Sequence, residues 1–262
     1  LPFLSRKKAE FGVGIARMED RYFQTNIIDF SETKHDESTY SIFGGSIVLE
    51  GSTLNARQFA TQGSREKMAA QIFTGTEHFR SGVSKVTKGT PEPYKKVQSW
   101  LQVSYQNETY HKVSPKFTLG AYLEAYYSSR NFSNNYTATL MQAGELTPTS
   151  HSKVTYNEAF RANQYAGVGA MPIYQLSESF QLRGEFYAFS PFRKILRGDH
   201  YNAIYADGYF THIEFLGELS LVYKFPFATL SAFGNYYTYP SKNWNFGFAL
   251  GFLLYNPRFL YP

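Results

Sequence analysis

The sequence predicts an all-β fold, a transmembrane antiparallel β-barrel of about twelve strands within a range of about ten to sixteen. Two observations support this prediction. Apolar and polar side chains alternate with a period of two in several segments, and this period places them on opposite faces of a strand. Aromatic residues make up 18% of the 262 residues, while the mean hydropathy is slightly polar at −0.38. A soluble domain of this size would favour packed cores of Leu, Ile and Val.

The clearest strand lies near the C-terminus, at residues 244–254. Aromatic and leucine side chains occupy the even positions there, and Asn, Gly and Ala occupy the odd positions up to 251. A helix would distribute the same aromatic residues around its circumference, so the spacing indicates a strand with one apolar face. The alternation recurs at residues 116–130, 180–189 and 211–224.

Weaker alternation predicts the remaining strands. They are expected at residues 10–17, 22–30, 40–50, 67–79, 98–110, 163–173, 200–209 and 227–237. Three long polar connections, at residues 81–97, 131–157 and 193–202, are expected on the same rim, because barrels of this kind alternate short turns with long loops.

Composition excludes several classes of protein. No apolar stretch approaches the roughly 18 residues that a membrane-spanning helix needs. The formal charge is +5, but the basic residues are scattered, so we expect no nucleic-acid partner. Lipopolysaccharide phosphates are the favoured anionic partner. We expect one domain over residues 1–262. Because the chain begins with neither Met nor a signal peptide, we expect either a processed product or a piece of a longer polypeptide, and we favour the piece.

Catalytic and metal-binding patterns are missing from the sequence. No Gly-x-Ser-x-Gly turn is present, and the serine of Gly44-Gly45-Ser46 falls within a predicted strand. The six histidines lack the spacing of zinc ligands, and the chain has no cysteine. We therefore expect no catalytic residue, metal or cofactor in this chain.

Charged residues opposite apolar faces are expected to face a lumen, because lipid does not tolerate them. They are Glu124, Arg183, Glu185, Glu214 and Glu218. Such residues could line a channel or bind a plug, or they could form cross-strand ion pairs that fill a closed barrel.

Aromatic residues near predicted strand ends are expected to form the girdle at the boundary between water and lipid. They are Trp100, Tyr110, Tyr126, Tyr127, Tyr236, Tyr237, Tyr239 and Trp244. A platform that binds sugars is the alternative interpretation of these rings.

Two segments resemble a known family. Residues 52–63, STLNARQFATQG, and 74–79, TGTEHF, are similar to the C-terminal outer-membrane barrel, a surface-antigen-like barrel, of Bacteroidetes-type patatin-like phospholipases. The closing run at 243–256 is also similar, although the chain continues to Pro262 where such barrels usually end at an aromatic residue. In that family an N-terminal hydrolase domain with a Ser–Asp dyad precedes the barrel, and the motifs of that dyad are absent here.

The resemblance implies that this chain anchors an attached lipid hydrolase at the bacterial outer membrane and helps to translocate it. It also implies contact with outer-membrane lipid, lipopolysaccharide and the outer-membrane assembly machinery. Two alternatives stay open. The lumen charges are compatible with a passive pore for small polar solutes, and a lipocalin-like soluble carrier would require the apolar face to be wet.

Overall fold

The computed structural model describes residues 2–4, 7–23, 34–82, 94–199, 202–238 and 244–252. The chain is almost entirely β, as the two-residue alternation predicts. In chain order its elements are β1 (Pro2–Leu4), β2 (Lys7–Tyr22), β3 (Asp36–Ser52), β4 (Gly63–Arg80), β5 (Tyr94–Lys112), β6 (Phe117–Ser128), α1 (Tyr136–Gln142), β7 (Gly144–Glu145), a 3₁₀ turn (Glu158–Phe160), β8 (Arg161–Ala162), β9 (Gln164–Gln175), β10 (Phe180–Pro191), β11 (Ile195–Arg197), β12 (Ala203–Tyr205), β13 (Glu214–Lys224), β14 (Ala228–Tyr237) and β15 (Trp244–Phe252).

One antiparallel sheet contains most of these strands, in the order β1-β2-β3-β4-β5-β6-β9-β10-β13-β14-β15. Ten of them are long, and β1 is a three-residue addition beside the start of β2. Each long strand pairs with the long strand before it in the chain, so the sheet is a meander. Two small two-stranded sheets, β7–β8 and β11–β12, lie within its connections.

Successive connections alternate between the two ends of the sheet. Short connections at residues 53–62, 113–116, 176–179 and 225–227 lie at one end, which we call the short-turn rim. The connections 129–163 and 192–213 lie at the opposite end, the long-loop rim, where β4 also ends and β5 begins. Two of the three long connections expected from sequence therefore share a rim, and most of the third, residues 83–93, lies outside the described residues.

Strand length divides the sheet into two parts. Strands β2 to β5 have 16 to 19 residues, whereas the six later long strands have 9 to 12. The additional residues of the longer strands lie at the long-loop rim. There β6 ends at Ser128, which pairs with Gln102, whereas the neighbouring β5 extends eight residues further, to Tyr94. We call this projecting part, which begins at the paired row Arg17, Ser41, Thr76 and Val97, the four-strand extension.

Contacts across the concave face show that the sheet is strongly curved. The connection after β3 meets β10 and β13, where Arg183 and Lys224 donate to the carbonyl oxygens of Ala60 and Phe59, each at 2.9 Å. In a flat sheet β13 would lie five strand spacings from β4, about 24 Å away at ~4.8 Å per spacing. A ten-residue hairpin tip could not reach that far, so the concave faces of distant strands must approach one another.

The sequence located most long strands to within a few residues, and two expectations need correction. Residues 200–209 were expected to form a strand of the main sheet, but within the described part only Ala203–Tyr205 is a strand, and it pairs with β11 outside that sheet. Tyr22 ends β2 instead of opening a strand, and residues 24–30 of the expected strand lie outside the described residues, as does Leu254. Among the described residues the main sheet has eleven strands, within the expected range of about ten to sixteen.

Candidate functional site: outer face and filled interior

The convex face of the sheet is apolar across all ten long strands. The alternation within each strand directs every second side chain outward, where it makes little contact with the rest of the chain. Ile15 of β2 is 85% exposed and Phe248 of β15 is 83% exposed, at opposite edges of the sheet. Phe43, Ile72, Phe186 and Leu219 are similarly exposed on strands between them. Apolar surface this extensive exceeds what monomeric water-soluble proteins normally expose.

Aromatic rings border this apolar surface near both rims. At the long-loop rim Tyr127 faces outward, and the outward Tyr236 and Trp244 rings lie 5.2 Å apart. At the short-turn rim Tyr223 and Phe225 contact each other at 4.6 Å. The sequence did not indicate the aromatic rings at the short-turn rim, because they lie where the alternation of a strand gives way to a turn.

Four of the expected girdle residues lie on the concave face instead. Trp100 is 6% exposed, Tyr110 and Tyr237 are also buried, and Tyr126 stacks on the inward Tyr165 ring at 5.3 Å. Adjacent residues of a strand face opposite sides of the sheet, so only one of Tyr236 and Tyr237 can face outward. Tyr239 lies outside the described residues.

The interior is filled by side chains from the strands and from the connection between β6 and β9. This connection, residues 129–163, folds back onto the concave face and is called the insert. Leu146, Phe160 and Ala162 of the insert join a buried cluster with Tyr165, Met171, Phe189 and Leu216 of the wall. Insert contacts reach β2, where Asn135 Nδ2 donates to Tyr22 Oη at 2.8 Å, and β14, where His151 Nδ1 lies 3.0 Å from Tyr237 Oη.

Arg183 lies at the centre of the polar interior and is 2% exposed. Its Nε donates to Glu185 Oε1 at 3.3 Å, and its guanidinium also contacts the ring of Phe59 at 5.6 Å. Phe59 has a φ of 51°, in the left-handed region that a bulky residue rarely adopts. The hydrogen bonds from Lys224 and Arg183 to the Phe59 and Ala60 carbonyls hold this turn inside the sheet.

The expected lumen residues all lie on the concave face or at its rim, in three groups. Glu185 and Glu218 are direct cross-strand partners beside Arg183. Glu124 accepts hydrogen bonds from Tyr122 and from Tyr165, the latter at 2.6 Å. Glu214 lies at the long-loop rim and accepts from Lys194 at 3.4 Å. Most of these carboxylates are thus occupied by hydrogen bonds and ion pairs.

The insert has its own polar contacts, which the sequence did not indicate. Asn135 caps α1 by accepting from the backbone N–H of Ala138 at 2.8 Å. Arg130 stacks over the Trp100 ring at 4.6 Å, and burial lowers the pKa of its guanidinium. Arg161 pairs with Glu145, whose carboxyl pKa is raised by burial. Periodicity within one strand gives no sign of partners in other segments, so it could not identify the contacts of Arg130 and Arg161.

Within the ranges that the structure describes, no helix is both long and apolar enough to cross a bilayer. The same ranges contain no group of three or more His, Cys, Asp or Glu side chains suited to a metal ion. Comparison with protein-family models and with curated protein sequences finds no match.

Proposed function

We propose that this chain is a bacterial outer-membrane β-barrel with a filled interior, and that it serves as a membrane anchor. The observation that carries the proposal is the apolar convex face, which continues from β2 to β15 and is bordered by aromatic rings. In water this face would be costly to expose, whereas in lipid it needs no further partner. The short-turn rim would then face the periplasm and the long-loop rim the exterior.

Closure of the barrel is part of this proposal. An open sheet edge is not tolerated in lipid, so β2 and β15, the outermost long strands, would pair with each other. Ten long strands form an even number, as bacterial outer-membrane barrels require, and β2 and β15 run antiparallel. The side chain of Gln58, from the connection after β3, already lies against Gly251 of β15.

Cysteine cross-linking tests closure without background, since the chain has no native cysteine. Paired cysteines at Val13 and Phe246, and at Phe11 and Phe248, should form disulfides in membranes, because all four positions face outward at the two edges. A matched pair at Val13 and Phe186 should not react. Disulfides in the matched pair but in neither edge pair would contradict closure by β2 and β15.

Spin labels test the membrane assignment itself. Labels at Phe248 and Phe252 in reconstituted vesicles should be accessible to oxygen and shielded from a water-soluble relaxation agent. A label at Lys153, which is exposed in the insert, should show the reverse. An aqueous environment at both phenylalanine positions would refute membrane embedding.

The attached partner of the anchor is proposed to be a patatin-like acyl hydrolase, and the support is the resemblance at residues 52–63 and 74–79. The first of these segments is the connection that Arg183 and Lys224 hold inside the sheet. The isolated chain should show no lipase activity, whereas a polypeptide encoded with its upstream sequence should hydrolyse phospholipid esters. Activity of the isolated chain would overturn this assignment.

A passive pore is the alternative, and one observation favours it. The middle of β2 is uncovered on its concave side, and a cavity of about 290 Å³ is lined there by small residues including Gly12, Gly14 and Gly44. Conductance in planar bilayers separates the two functions. A filled anchor should remain nearly closed, whereas stepwise currents that widen when Gln71 of this cavity is replaced by Gly would favour the pore.

A further inference from the structure

A second cavity, of about 400 Å³, opens at the short-turn rim on the concave side of the sheet. Its lining comes from the ends of β5, β6, β9, β10 and β13 and from three short connections. Lys112, Lys116 and Lys224 contribute three positive charges, and Glu178 contributes one negative charge. The lining therefore carries a net charge of +2, in a position that the wall of the sheet separates from the convex apolar face.

The inner end of the cavity is closed by well-defined contacts. Lys224 Nζ donates to the carbonyl oxygen of Phe59 at 2.9 Å, so the connection after β3 forms the floor. Gln181 lines the cavity and is 1% exposed. Its Oε1 has no hydrogen-bond partner among the residues that the structure describes. Native proteins generally satisfy such a buried acceptor with protein, water or ligand.

Two chemical requirements therefore meet in one cavity. The lysine ammonium groups favour an oxyanion, and lysine is a common phosphate ligand because it acts as a compact point charge with three donors. The Gln181 oxygen requires a donor at the inner end of the cavity, and a hydroxyl group of a ligand whose phosphate stays at the lysines can supply it. The volume lies within the usual range for small-molecule sites, about 300–1,000 Å³.

We propose that this cavity binds a small hydroxylated phosphate, such as a polyol phosphate or sugar phosphate. The phosphate group contacts Lys112 and Lys116 at the mouth, and a hydroxyl group donates to Gln181 Oε1 at the inner end. This site goes beyond the anchoring role and does not depend on it, since its lining lies on the concave face and can be assayed in detergent.

Calorimetric titration of the full chain in neutral detergent micelles tests the site with three probes: glycerol 3-phosphate, inorganic phosphate and glycerol. Glycerol 3-phosphate should bind at least about threefold more tightly than inorganic phosphate, because its hydroxyl groups extend beyond the phosphate and can donate to Gln181 while the phosphate contacts the lysines. Glycerol alone should give no saturable binding. Raising the salt concentration should weaken both phosphate ligands, since the lysines at the mouth are exposed to solvent.

Three variants separate the contributions. The double variant Lys112→Gln/Lys116→Gln should bind both phosphate ligands about tenfold more weakly, because it removes two charge-assisted contacts. Gln181→Leu should weaken glycerol 3-phosphate and leave inorganic phosphate unchanged. Lys153→Gln, at an exposed position of the insert, should bind as the unmodified chain does. Unchanged far-ultraviolet circular dichroism establishes that each variant is folded.

The proposal is overturned if neither phosphate ligand gives saturable binding, or if the double lysine variant binds as tightly as the unmodified chain. Equal affinity for the two phosphates, with no effect of Gln181→Leu, would remove the hydroxyl requirement and with it the ligand class proposed. Any of these results would leave the membrane proposal standing, because spin labels and cross-links report on that independently.

Discussion

The guanidinium of Arg183 donates a 2.9 Å hydrogen bond to the carbonyl oxygen of Ala60, across 123 positions of the sequence. This bond joins the β10 wall to the connection that follows β3, and Lys224 of β13 supports the same connection through Phe59. The insert enters the concave face from the opposite rim. The interior is thus occupied from both ends, and this occupancy supports the proposed anchor over the alternative of a passive pore.

Replacing Arg183 with Leu should destabilise the chain by about 3–5 kcal/mol, because it leaves Glu185 buried without its cation. Urea unfolding in detergent, followed by tryptophan fluorescence, measures the effect. Arg57→Leu is the matched control, since Arg57 is exposed in the same connection and its loss should change stability by less than about 0.5 kcal/mol. Equal midpoints for the two variants would show that Arg183 does not hold the connection.

Gly169 and Gly14 should respond in opposite ways to replacement by Val. A Cβ at Gly169 would overlap the buried Tyr187 ring, whereas a Cβ at Gly14 meets no atom within 4 Å. We expect Gly169→Val to cost about 1–3 kcal/mol through overpacking. Gly14→Val should be neutral or stabilising, because Val favours strands. A cost at Gly14 equal to that at Gly169 would mean that β2 is covered on its concave side.

Arginine substitutions on the convex face should distinguish the membrane belt from the four-strand extension. Phe186→Arg lies midway along β10 and should cost about 2–4 kcal/mol in vesicles. Val97→Arg lies in the first row of the extension, where Val97 is 69% exposed in the isolated chain against 57% for Phe186, and should cost little. Unfolding in urea from reconstituted vesicles measures both, and similar costs at the two positions would argue against a lipid boundary below the extension.

Acidification should loosen the insert through His151. Burial lowers the pKa of this imidazole below its ordinary value of 6.5, so the folded form binds a proton less readily than the unfolded chain does. Its stabilising contribution is therefore complete above pH 6.5 and is lost as the pH falls through the lowered value. Protection of residues 144–162 from hydrogen exchange, corrected for intrinsic rates, should decrease over that window.

His151→Gln isolates this effect. Glu145 of the same insert shifts in the opposite direction, because burial raises the pKa of its carboxyl group, and a raised carboxyl pKa favours the folded state at lower pH. The difference between unmodified chain and variant removes the contribution of Glu145. Identical pH profiles for the two proteins would exclude His151 as the titrating group.

Strand positions were predictable where one face is consistently apolar. Residues 211–224 and 180–189 were expected as strands, and the structure has β13 at Glu214–Lys224 and β10 at Phe180–Pro191. The length of β2 was underestimated because its outward residues in the extension, Arg17, Glu19 and Arg21, are polar, so the alternation weakens there. The short strands of the connections carry too few residues for any period to be detected.

Side-chain roles were harder to predict than strand positions. Trp100 and Tyr237 lie near strand ends, as girdle residues would. Their positions in the alternation of the strand, however, direct their side chains into the interior. Arg183 and Glu185 were expected inside from their own strand, but the partnership of Arg183 with Ala60 had no signal in the sequence.

The sequence by itself determined that the chain forms strands with one apolar and one polar face, because that property repeats every two residues and depends only on local backbone geometry. The curvature of the sheet, the return of the insert and the contact between Arg183 and Ala60 were decided only by the tertiary structure. These contacts join residues far apart in the chain, and their formation depends on how distant strands approach one another across the concave face.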